Sequence, residues 1–128
     1  MVERRSISAD SAPEAVGGYS QAIEIRNANR VLYISGQIPV DPHGNVPEAF
    51  SDQARLVWRN VGAQLRAADM SFDDLVKVTI FLSDRQYSDE NRAVRKDVLG
   101  ERAPALTVII TGIFDSSWLL EIEAIASA

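Results

Sequence analysis

Leu75-Val76-Lys77-Val78-Thr79-Ile80-Phe81-Leu82 alternates as a half-buried β-strand must. Successive strand side chains point to opposite sides, so Val76, Val78, Ile80 and Leu82 share one face and Lys77, Thr79 and Phe81 the other. The spacing predicts a helix on each side of this strand. Upstream, Ala54, Val57, Trp58, Val61, Leu65 and Ala68 recur at helical intervals over residues 49–68, with Arg55, Arg59 and Arg66 largely outside the stripe. Downstream, residues 86–98 put Tyr87, Asn91, Val94 and Val98 on one side. Asp89 and Glu90 stand early and Arg95 and Lys96 late, as the helix dipole favours, and Gly100 offers a stop.

Further out, the segments 31–35, 20–26, 4–8, 106–111 and 119–126 read as strands, with 4–8 a short edge strand. Residues 27–30 have turn composition. Residues 39–47 fit either a long turn or a disordered loop, and Asp41-Pro42-His43-Gly44-Asn45 favours the turn. The order β-β-β-α-β-α-β-β describes one α+β domain over residues 1–128, a five- to six-stranded mixed sheet with two helices on one face. Two helices shield one face only. The other carries Phe81 and one of Val108 or Ile109, and an apolar face of that size is expected to be covered by symmetric association.

Composition narrows the function. The chain of 128 residues has 46% apolar and 24% charged residues, the balance of an ordinary globular domain. A net charge of −5 argues against nucleic acid, whose binding needs basic surface. No cysteine is present, which excludes disulfides, thiolate catalysis and Cys-ligated zinc. His43 is the only histidine and sits in the predicted turn, so neither a multi-histidine metal site nor a Ser-His-Asp triad is expected. No phosphate-binding glycine motif occurs, and neither Lys77 nor Lys96 stands out as a lysine for an aldehyde cofactor. No apolar run approaches a membrane span, and Met1-Val2-Glu3-Arg4-Arg5-Ser6 lacks the apolar segment of a signal peptide. A cytoplasmic location is the expectation.

Three separated motifs, Gly18-Tyr19-Ser20-Gln21-Ala22, Ser35-Gly36-Gln37-Ile38-Pro39 and Pro104-Ala105-Leu106-Thr107 with Leu120-Glu121-Ile122-Glu123-Ala124-Ile125-Ala126, make the chain resemble the RidA (YjgF/UK114) family of enamine/imine deaminases. The resemblance spans nearly the whole chain. It implies a chorismate-mutase-like fold, a homotrimer whose sheets form a central barrel, a small-molecule substrate in each intersubunit cleft, and hydrolysis without a cofactor. It also departs from the family at two positions. Gly18 stands where proline is commoner, and Leu106 where arginine normally grips the carboxylate of an amino-acid-derived enamine or imine.

The resemblance assigns roles by position. Glu121 matches the glutamate that positions the attacking water, and Tyr19 and Ser35 match the site tyrosine and serine that hold substrate or water. Gly36, Gln37 and Asn91 match cleft positions, where Gln37 and Asn91 are expected to bond backbone and keep the cleft in shape. Leu106 is expected to line the substrate site. Arginine's planar fork gives two parallel charge-assisted bonds and leucine none, so impaired action on 2-imino acids is expected. Arg92 and Arg102 are weighed as replacements, each also reading well as a solvated charge. On residues alone, Glu121 and Glu123 suit solvent-facing carboxylates equally, and Leu106 an interior strand residue. Two other functions fit the same scaffold: a non-catalytic small-molecule-binding or regulatory trimer, and a pathway-specific enzyme of another reaction class.

Overall fold

A computed structural model describes residues 1–128. The elements follow the expected order: β1 (Glu3–Ile7), β2 (Ala22–Arg26), β3 (Val31–Gln37), α1 (Phe50–Ala67), β4 (Leu75–Leu82), α2 (Ser88–Leu99), β5 (Ala105–Ile110) and β6 (Leu120–Ser127). Residues 41–45 form the turn: the Asp41 carboxylate accepts from the backbone N–H groups of His43 and Asn45, at 2.8 and 2.9 Å. Those bonds, the one from Asn45 foremost, hold the Asp41 pKa below the usual aspartate value.

All six strands form, but they divide between two sheets. β3-β6-β4-β5 is a mixed sheet in which β6 runs antiparallel to both neighbours and β5 runs parallel to β4. A parallel pair needs a long crossover, and α2 supplies it. β1 and β2 pair antiparallel with each other alone. Long-range polar contacts fix that separate position. Ser20 donates its N–H to the Pro104 carbonyl at 3.1 Å and its hydroxyl to the Ala103 carbonyl at 2.6 Å. The Arg4 guanidinium donates to the carbonyls of Ser127 and Leu75. The hairpin therefore lies across the end of the sheet where β4 begins and β6 finishes.

The core forms between the sheet and the helices. Val57, Trp58, Val61 and Leu65 of α1 and Val94 and Leu99 of α2 meet Val78, Ile80, Leu82, Ile122, Ala124 and Ala126. Each large aliphatic so buried contributes about 1.5–3 kcal/mol. One detail differs from the alternation pattern. The pairing of β4 with β6 shifts register between Leu75 and Lys77, so Leu75 enters the core and Val76 is only half-buried. On α2, the buried set is Asn91, Val94, Arg95 and Leu99, so the helix is rotated toward Arg95 relative to the expected stripe. Gln53, buried in α1, closes three backbone groups at once. Its amide donates to the Pro47 and Ser117 carbonyls and its carbonyl accepts from Leu119 N–H, all within 2.9 Å.

No helix covers the other sheet face. Register puts Glu121, Phe81 and Ile109 in one row there and Glu123, Thr79 and Thr107 in the next, so Ile109 rather than Val108 shares the Phe81 side. Tyr33, opposite Ile125, is 76% exposed on the same face. The outer edge of β5 is met only at its start, by Ser20 at Ala105, and Val108, Ile109 and Ile110 are all exposed along the rest.

Candidate active site

The residues singled out in the sequence gather in two places. The first is the β3–β6 edge. Ile34 pairs with Ala124 but Gln37 with Ile122, so β3 carries one extra residue between them, a β-bulge at Ser35-Gly36. Gln37 holds the bulge through its own side chain: Nε2 donates to the Ser35 carbonyl at 2.9 Å. Glu121, opposite the bulge, packs directly on Gly36. A Cβ built on that glycine would lie 1.8 Å from Oε2. Glu121 is half-buried, and its carboxylate accepts no hydrogen bond and pairs with no cation within the chain. Ser35 is exposed beside it. Its side shares a shallow hollow of about 220 Å³ with Tyr33, Lys77, Thr79 and Glu123. Glu123 is thus the carboxylate nearer that hollow, and Glu121 the one over the glycine.

The second group forms at the opposite edge, around β5. Ser20 bridges to Ala105, which brings Tyr19-Ser20-Gln21 alongside Pro104-Ala105-Leu106. Leu106 aligns with Val78, is half-buried, and packs against the core on the helix side. Tyr19 is half-buried in the adjoining loop. Gly17 and Gly18 precede it with φ of +82° and +72°. Proline, fixed near −65°, cannot take the backbone found at Gly18.

Asn91 does not bond backbone as expected. It is buried, and its Oδ1 is sealed from solvent with no hydrogen-bond partner. Within one protomer the two weighed arginines are engaged elsewhere. Arg102 is held by the Asp73 carboxylate at 2.7 Å and the Leu99 carbonyl, and Arg92 is exposed beside Asp89. The arginine that does approach is Arg95, one helical turn after Asn91. It is 7% exposed, and Nη2 donates to the Gly17 carbonyl at 3.4 Å. Burial pulls the guanidinium's pKa down, the like charge of Arg92 adds to this, and Tyr19 opposes it. The i, i+4 spacing of Asn91 and Arg95 was the available sequence signal. A cation in the last turns of a helix is otherwise explained by the dipole, and so Arg95 reads as ordinary.

No three His, Asp or Glu side chains converge as a metal ion would require. No helix is long and apolar enough to cross a membrane.

Comparison with known proteins identifies the class. Residues 9–128 match the family model described as Endoribonuclease L-PSP. The chain is 38% identical over 122 residues to a RutC family protein of Pyrococcus horikoshii, covering 94% of each. It is 34% identical over 125 residues to the 2-iminobutanoate/2-iminopropanoate deaminase of Mus musculus, covering 96% of this chain and 90% of that one. The solved structure of the Rid-family protein YyfB from Yersinia pestis superposes with a TM-score of 0.84 at 23% identity, over 98% of both chains. This chain belongs to the endoribonuclease L-PSP family, the RidA/YjgF group.

Proposed function

We propose that this chain is a RidA-like enamine/imine deaminase, working as a homotrimer, whose substrate either lacks an α-carboxylate or presents it differently from the usual family substrate. Membership of the family and the mouse deaminase support imine deamination broadly. The reaction is hydrolysis. Water adds to the C=N carbon of the protonated imine, the carbinolamine collapses, the C–N bond breaks, and ammonia leaves a carbonyl behind. The protonated imine is already electrophilic, so the protein's task is to place water and substrate.

The observation that carries this reading is the Glu121 carboxylate, unpaired and half-buried over Gly36 at the bulge. An unpaired carboxylate is free to accept a proton from water and aim its lone pair. Ser35 adjoins it, and exposed backbone at the bulge can orient the nitrogen. Tyr19 lines the second half of the cleft, and Leu106 gives an apolar wall where a guanidinium would stand in relatives.

The positions of those halves support a ring of protomers, in this proposal a trimer. Glu121 points to the uncovered sheet face near the β3 edge, whereas Tyr19 and Leu106 stand at the β5 edge and Leu106 turns toward the helices. One protomer cannot close them on each other. The β5 edge of one protomer set against the β3–β6 face of the next would join both halves, and head-to-tail contacts of that kind form a ring where the rotation closes. Three sheets so joined cover the face that carries Phe81, Ile109 and Tyr33. The location is expected to be cytoplasmic, with neither nucleic acid nor cofactor required.

The test is to generate imines in situ with an amino-acid or amine oxidase and follow their loss against a semicarbazide trap. Wild-type protein accelerates hydrolysis, and Glu121→Ala abolishes the acceleration. A broad imine panel left untouched, amine-derived imines included, would overturn the proposal in favour of a non-catalytic binding protein.

A further inference from the structure

We propose that the guanidinium of Arg95 is a carboxylate-binding group of the cleft, receiving a small 2-imino or 2-oxo acid with Asn91 and Tyr19 beside it. This rests on the reading of the cleft as an imine site and names the substrate class: imines that keep a carboxylate, held from α2 rather than from β5.

Three observations converge. First, Arg95 is a buried cation without an anion. No Asp or Glu lies within salt-bridge distance, and its one hydrogen bond is a 3.4 Å contact to the Gly17 carbonyl. A guanidinium carries five N–H donors, and desolvating it without a counter-charge is costly. Its remaining nitrogens are not among the sealed, unpaired atoms of the chain, so they keep a narrow opening to the surface. Second, Asn91 Oδ1, one turn away on the same helix face, is sealed and unpartnered. Uncovered by displacement of the Gly17-Gly18 loop, that acceptor and the under-used cation would match a ligand with a carboxylate and a neighbouring N–H, which a 2-imino acid has. Third, the loop over Arg95 leaves open space beside the guanidinium. Gly17 and Gly18 both have positive φ, a Cβ at Gly17 would meet nothing, and one at Gly18 would meet only Arg95 Nη2 at 4.0 Å. A carboxylate replacing the Gly17 carbonyl would exchange one long bond for a two-pronged charge-assisted pair. The same loop continues through Tyr19 to Ser20, which is bridged to Ala105, the residue before Leu106.

The experiment titrates the intact protein with 2-oxobutanoate, the stable carbonyl counterpart of a four-carbon 2-imino acid, and with butanone, its neutral analogue. Binding is followed by calorimetry and by the Arg95 Nε–H resonance. Wild type should bind 2-oxobutanoate in preference to butanone, and only 2-oxobutanoate should shift the Arg95 signal. Arg95→Gln should weaken 2-oxobutanoate at least ~30-fold, the usual loss for one partner of a desolvated charge pair. Arg95→Lys should fall between, and Arg92→Gln should match wild type. The proposal is overturned by equal affinity for the two probes, by a folded Arg95→Gln that binds as wild type does, or by an Arg95→Gln that dissociates the assembly, which would mean a neighbouring subunit uses the guanidinium. Should Arg95→Gln not fold, the wild-type resonance and Arg95→Lys decide. Imine turnover is scored separately. Turnover without probe binding leaves the deaminase standing and removes Arg95 from it. Arg95-dependent binding without turnover does the reverse.

Discussion

The Glu121 carboxylate occupies the space that any side chain at Gly36 would need, with Oε2 1.8 Å from where a Cβ would stand. The glycine is thus the floor on which the carboxylate rests, and the bulge in β3 is what brings floor and carboxylate together.

Gly36→Ala is therefore expected to act as a displaced Glu121. The atom in the way is the far end of a flexible side chain, so the fold should survive with little change in Tm. Misplacing a catalytic group by about 1 Å costs on the order of 100-fold. Imine hydrolysis by Gly36→Ala should approach that of Glu121→Ala, with the far-UV spectrum unchanged.

Leu106→Arg should raise turnover of 2-imino acids relative to imines made from simple amines. The change also removes a half-buried side chain from the edge of the core. It should cost about 1–3 kcal/mol of stability, read from denaturant melts. No gain in a folded assembly would mean that the cleft differs from its relatives at more than this position.

Gln53→Leu tests the fold independently of the site. It strips two carbonyls and one N–H of their partner in the interior. Each orphaned group costs about 1–3 kcal/mol, so a loss of at least ~2 kcal/mol is expected, with faster amide exchange at Leu119.

The aspartate turns give a pH prediction. Backbone N–H donors hold the pKa of Asp41 and of Asp115 below the usual aspartate value, from Asn45 and Ser117 respectively. Folded-state pKa values that are depressed contribute stability above the unfolded-state pKa and lose it as pH falls through the folded one. Protection of the His43, Asn45 and Ser117 amides should therefore persist through the ordinary aspartate range and fade only at more acid pH. It should be flat around neutrality.

The helices and strands, and their order along the chain, were legible because period-3.6 and period-2 patterns report directly which face is buried; that β6 and β5 flank β4 was not. The division of the strands between two sheets was not. It depends on Ser20 reaching Ala103 and Arg4 reaching Leu75, contacts between residues far apart in sequence with no periodic signature. The Leu75 bulge escaped for a related reason, since Val76 fits the alternation equally well on paper. Glu121 and Gly36 were legible as a resemblance, whereas their contact was not. Arg95 was hidden by a sufficient explanation, the helix dipole, and only burial separates it from Lys96, which is exposed one residue on.

The central claim is a deaminase site shared between neighbouring protomers, and subunit complementation tests it most directly. Glu121→Ala and Tyr19→Ala are each expected to be inactive alone. Unfolded together and reassembled in equal amounts, they should regain roughly a quarter of wild-type imine hydrolysis, the chance that a cleft draws an intact half from each variant in a closed ring. Mixed assemblies that stay as inactive as their parents would contradict the shared cleft.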